Sequence, residues 1–121
     1  QLDRLYRDLR NRLAPGGRLV IHTWPNRWHT EISYPVARLL LKCVGVDKPK
    51  SPRKPHDEIM HVNEQSVLSL RHDLRRAGFR PQVWIEHVIP SGSGFIYRAT
   101  HTWPGLRLFF ADHLYAVANP A

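Results

Sequence analysis

The 121-residue chain is nearly free of cysteine, with Cys43 alone. A single thiol closes no internal disulfide, which excludes a disulfide-stapled module and makes a cytoplasmic setting the default expectation. Long apolar runs are missing too. Leu39-Leu40-Leu41 is cut off by Arg38 and Lys42, and no run approaches the roughly 18 residues a membrane span needs. The first residues carry neither Met nor a signal-peptide pattern and already read as helix, so we expect a piece of a longer protein. Several site motifs are absent. His and Cys show no paired ligand spacing, so no metal site is expected. No Gly-x-Ser-x-Gly elbow and no Gly-rich phosphate loop with Lys occurs. Cys43 lies in an apolar helical pattern and reads as a small core residue rather than a nucleophile.

Acidic residues are scarce, 10 against 18 basic ones, giving a net charge of +8. Such a field favours polyanions, either nucleic acid or acidic membrane surfaces. The basic residues are mostly Arg and are scattered along the chain, so they read chiefly as solvated faces. Their one concentration, Lys48 to Lys54, is interleaved with Pro49, Pro52 and Pro55 and reads as an exposed loop. The 42% hydrophobic content suffices for a core.

Leu2, Leu5, Tyr6, Leu9 and Leu13 fall at helical spacing. Ala14-Pro15-Gly16-Gly17 ends that helix, because Pro and Gly cannot continue it. Arg18 to Trp24 has a continuous β-branched centre, the pattern of a strand buried on both faces. Pro35 suits a first helical turn, and Val36, Leu39, Leu40 and Val44 extend a stripe over about residues 34–44. Asn63 is a candidate cap, with Glu64 in the first turn, for a helix carrying Val67, Leu70, Leu74 and Ala77. Gly78 follows as its left-handed terminator. Gln82 to Ile89 reads as a strand, Ser91 to Gly94 as a loop, Pro104 to Ala111 as a short helix and Leu114 to Ala118 as a last strand. Trp84 and Trp103 read as packing residues. Alternating helices and strands predict an open α/β sheet with helices on its faces.

In such sheets ligands lie outside the carboxyl ends of the strands. The first strand therefore nominates Thr23, Trp24, Asn26 and Trp28, with Tyr34 further on, as substrate-lining residues. His is the usual base near neutral pH, and His22, His29 and His61 are the candidates, each weighed against an ordinary core or surface histidine.

Leu13-Ala14-Pro15-Gly16-Gly17 before an apolar strand, Pro25-Asn26 after it, the Ala77-Gly78-Phe79 helix end and the closing strand Leu114 to Ala118 together resemble class I S-adenosylmethionine-dependent methyltransferases. The resemblance implies a Rossmann-like sheet of which this chain holds strands five to seven, the last antiparallel. Residues 27–60 would then be a substrate-side insertion. It also implies S-adenosyl-L-methionine as cofactor, bound mainly by a half preceding Gln1. The family's Gly-rich loop after strand one and the acidic residue after strand two are absent here, and Gly92-Ser93-Gly94 does not replace them. The expected activity is methyl transfer to a small-molecule or lipid-like acceptor. The alternative is a basic nucleic-acid-binding module or half of an RNA methyltransferase.

Overall fold

A computed structural model describes residues 2–52, 64–87, 89 and 91–121. Helix α1 (Leu2–Arg12) places Asp3 in its first turn and Arg10 and Arg12 in its last, the signs that complement the helix dipole. Its apolar stripe buries Tyr6, with Leu2, Leu9 and Leu13 packed beside the core. Gly16 turns the chain at φ +77° into strand β1 (Leu19–Thr23). A π-helical turn, His29–Ser33, leads without a break into α2 (Tyr34–Cys43), with Pro35 in the first turn as expected.

Helix α3 (Val67–Arg76) follows. The sequence nominates Asn63 as its cap, but the helix starts later. Ser66 caps it, accepting from the backbone N–H of Ser69 at 3.1 Å, while the Ser69 hydroxyl accepts from the Ser66 N–H at 2.8 Å. This reciprocal pair satisfies two otherwise orphaned amides, so Glu64 lies outside the helix, and Asn63 falls outside the described residues. Gly78 terminates α3 at φ +85°, as expected. Strand β2 (Phe79–Glu86), α4 (Phe95–Thr102), α5 (Pro104–Phe110) and β3 (His113–Pro120) complete the order.

The sheet order is β1-β3-β2, with β3 antiparallel to both neighbours. Strands β1 and β2 therefore run in the same direction. The register aligns Ile21, Ala116 and Val83 across the sheet, and Thr23, Leu114 and Ile85 in the next row. This face is covered by α3 and α1: Leu70, Leu74, Phe79, Ile85, Leu114, Ala116 and Ala118 are buried with Tyr6. Leu-sized side chains contribute about 1.5–3 kcal/mol each on such burial, so the core lies between β2–β3 and α3.

Three expectations are corrected. Strand β1 is not buried on both faces: among the described residues it pairs with β3 alone, and Val20 points away from the helices with 69% of its surface exposed. The stripe of α2 is largely exposed, with none of its residues buried, and Cys43 is exposed too. Trp103 is a surface residue too, 61% exposed, while Trp84 stacks on Tyr115. Helix α4 was not foreseen, since Phe95-Ile96-Tyr97 reads locally as strand. Among the described residues of the basic loop, Lys48 and Pro49 are tied back through their carbonyls to Arg38 Nε and Tyr34 Oη, each at 2.9 Å. Arg53 and Lys54 lie outside the described residues.

Candidate acid-base site at the carboxyl edge of the sheet

The ends of all three strands meet on one edge. Strands β1 and β2 finish there, and β3, running the other way, begins there. Trp24 follows β1, His87 follows β2, and Asp112 and His113 open β3. Asp112 collects them. Its Oδ1 lies 2.8 Å from His87 Nδ1 and 3.8 Å from His113 Nε2, and its Oδ2 accepts from Trp24 Nε1 at 3.1 Å. Helix α4 adds Tyr97, whose hydroxyl lies 2.5 Å from His87 Nε2. The same helix adds His101, whose ring stacks on Tyr97 at 4.0 Å between centroids.

Charge fixes the proton positions. Partial burial pushes the Asp112 carboxyl upward, but hydrogen bonds from His87 and Trp24 and the nearby imidazoles outweigh it, and its pKa is lowered. The carboxylate is therefore ionised near neutral pH and accepts the Nδ1–H of His87. A neutral imidazole with its proton on Nδ1 has its lone pair on Nε2. The Tyr97 hydroxyl donates to that lone pair, and its own pKa is raised, first by burial and then by the Asp112 charge. His101 is shifted down, chiefly by burial. A carboxylate fixing a histidine's tautomer while the far nitrogen stays basic is the arrangement of an oriented general base. The same contacts also clamp the three strand ends together.

Beside this array lies an open pocket of about 370 Å³, lined by Trp84, Glu86, His87, His101, Thr102 and Arg107 among others. Arg107 is held by donating to the Ile85 carbonyl. A second pocket, about 470 Å³, lies between the α3 end and the far ends of β2 and β3, with Arg75, Arg80 and Asn119. No acid-base pair lines that one.

The residues nominated from the sequence are dispersed. Trp24 belongs to the array. His22 lies on the open face of the sheet, 3.0 Å from His113 Nδ1 through its Nε2 and stacked on Tyr115 at 4.6 Å. Thr23 ends β1 opposite Leu114. Asn26 is wholly buried. Its amide donates to the Leu108 and Ala111 carbonyls at 2.7 and 2.9 Å, and its Oδ1 accepts from the Trp28 N–H at 3.2 Å. It fastens the end of α5 and offers little to a ligand. Trp28 stacks on Phe109 at 5.2 Å, and Tyr34 holds Pro49. His29 is half-buried beside Ser33 Oγ at 3.1 Å, and its pKa is lowered mainly by that burial. His61 is outside the described residues.

Sequence reasoning missed His87, Tyr97, His101 and Asp112. One signal was present: the strand-end rule that nominated Trp24 points equally to His87 after β2. Asp112 is, besides, the single acidic residue after Glu86. No family model, no curated protein and no solved structure matches the chain.

Proposed function

We propose that the chain is the acceptor-side part of an S-adenosylmethionine-dependent methyltransferase domain, acting on a hydroxyl of a small or lipid-like molecule. One observation carries the reading. The closing strand runs antiparallel between two strands of common direction, and the acid-base array stands at their carboxyl ends. An antiparallel last strand is what the resemblance implies, and that edge is where open α/β sheets bind ligands.

A cofactor cradle requires a strand, a glycine turn and a helix in that order. Among the described residues Gly16 and Gly17 stand in the reverse order, between α1 and β1. These residues do not form the cradle. What these residues do is hold a proton. His87 Nε2 takes it from the acceptor hydroxyl, entering from the pocket in place of Tyr97. Asp112 stabilises the resulting imidazolium. Proper alignment supplies most of the rate in such reactions, and Trp84 and His101 form the walls that give it.

The test supplies labelled S-adenosylmethionine and a panel of hydroxylated acceptors to two polypeptides. One is the 121-residue chain, and the other is the native polypeptide that contains it. Label transfer by the native polypeptide, lost in His87→Gln, is expected. A folded native polypeptide that transfers no methyl group, or a His87→Gln variant with full activity, overturns the reading.

A further inference from the structure

We infer that the cap formed by α2, α4 and α5 is a docking surface for an anionic lipid bilayer. The inference does not depend on the methyl-transfer reading. Its first element is apolar side chains turned to solvent. On α4, Phe95 and Ile96 are 82% and 78% exposed, and Trp103 at the start of α5 is 61% exposed. On α2, Val36, Leu39, Leu40 and, just beyond it, Val44 follow one another at the spacing of a single helix face. Leu39 and Leu40 are each 64% exposed and Val44 73%. Neither α2 nor α4 buries a single residue. Several large apolar side chains exposed on neighbouring helices mark a binding face.

The second element is charge of one sign. From Ile32 to Val46 the chain has Arg38 and Lys42 and no acidic residue. From His87 to Ala111 it has Arg98 and Arg107 and again no acidic residue. Beyond α2, Lys48 and Lys50 follow Asp47. Glu31, paired with Arg27, and Asp47 bound the first stretch, and Glu86 and Asp112 the second. Apolar helix faces whose own charges are Lys and Arg, with an aromatic residue at the boundary, are what an interfacial helix presents to acidic headgroups.

The third element is placement. Helix α2 leaves the carboxyl end of β1 and α4 leaves that of β2. The two are joined through α5 and the π-helical turn: Ser33 Oγ donates to the Phe109 carbonyl at 2.6 Å, and Trp28 stacks on Phe109. Both apolar segments thus belong to one cap on the sheet edge that carries His87 and Tyr97. A partner protein would need a complementary acidic rim. Single-stranded RNA would meet the charges, but has no use for the aliphatic face of α2.

The probe is sucrose-loaded vesicles of phosphatidylcholine alone or with phosphatidylglycerol added, mixed with the chain and sedimented. Sedimentation with the phosphatidylglycerol vesicles is expected, weakening as salt is raised. Tryptophan emission should shift to the blue, and the Trp103→Phe variant should lose that shift. The pair Phe95→Asp with Ile96→Asp, and separately Leu39→Asp with Leu40→Asp, should each weaken partitioning by about tenfold or more. All four side chains lie outside the core, and near-ultraviolet circular dichroism checks that each variant stays folded. The inference is overturned by no sedimentation at low salt, by full sedimentation of both double variants, or by a self-association that already shields Trp103 from an aqueous quencher. A polynucleotide that competes fully without moving the emission also overturns it, since simple charge attraction would then account for binding.

Discussion

Asp112 is one side chain at which three strand ends converge, and its ionisation couples to folding. Its pKa in the folded state lies below the ordinary 3.8, so the unfolded chain takes up the proton first as acid is added. The stability it contributes is complete above 3.8 and disappears as pH falls through the lower folded value. His29 and His101 act higher on the scale. Burial lowers both pKa values beneath 6.5, so the unfolded state again binds protons more readily, and stability declines as pH drops below 6.5. Melting temperature against pH should therefore fall in two stages. Asp112→Asn should flatten the acid stage and His29→Asn should reduce the upper one. A single residue also separates structure from site at Asn26. Replacement by alanine strands the Leu108 and Ala111 carbonyls and the Trp28 amide in a buried place. Unsatisfied buried groups cost about 1–3 kcal/mol each, so urea denaturation of Asn26→Ala should show a loss of at least about 2 kcal/mol. Its strand-end position suggested a ligand contact, and only the folded chain reveals the carbonyls that claim its amide, more than 80 positions later.

Elements were legible wherever local pattern and tertiary demand agree. The stripe of α1 and the glycine after α3 are such cases. Gly78 holds φ +85°, a region that costs an L-residue about 1–2 kcal/mol. A Cβ there would also come within 3.0 Å of the Arg10 guanidinium, which can swing aside. Gly78→Ala should therefore lower stability by about 1–2 kcal/mol in chemical denaturation, and Ser66→Ala by about 1 kcal/mol through loss of the cap. Legibility fails where local preference points elsewhere. Pro81 delays the apparent start of β2 to Gln82, yet proline is tolerated because β2 is an edge strand. The aromatic and β-branched start of α4 favours strand by propensity, and contacts with α5 override it. The cap of α3 shifts from Asn63 to Ser66 because both residue types cap well, and only packing of Val67 and Leu70 chooses between them.

At the scale of the whole molecule, the sheet has one furnished face. Helices α1 and α3 cover Ile21, Ala116 and Val83, while Val20, His22, Tyr115 and Trp84 face the other way without a helix over them among the described residues. The three rings His22, Tyr115 and Trp84 form a stacked row there, 4.6 and 5.8 Å between centroids. The run Leu19-Val20-Ile21 is apolar enough for both faces of a strand to be buried, which is how it reads in sequence, yet the observed fold fills only one. Among the described residues the outer edge of β1 is unpaired as well. An unpaired edge with an exposed apolar side chain is prone to pairing with a second copy. Val20→Lys should therefore suppress concentration-dependent self-association in light scattering while changing stability by no more than about 0.5 kcal/mol. Leu114→Ala, three rows along on the covered face, should cost about 2–5 kcal/mol by leaving a cavity against α3. Equal effects from the two substitutions would mean that Val20 is covered after all. Loss of stability in Val20→Lys without any change in self-association would point to a packed partner on the open face, rather than to a bare one.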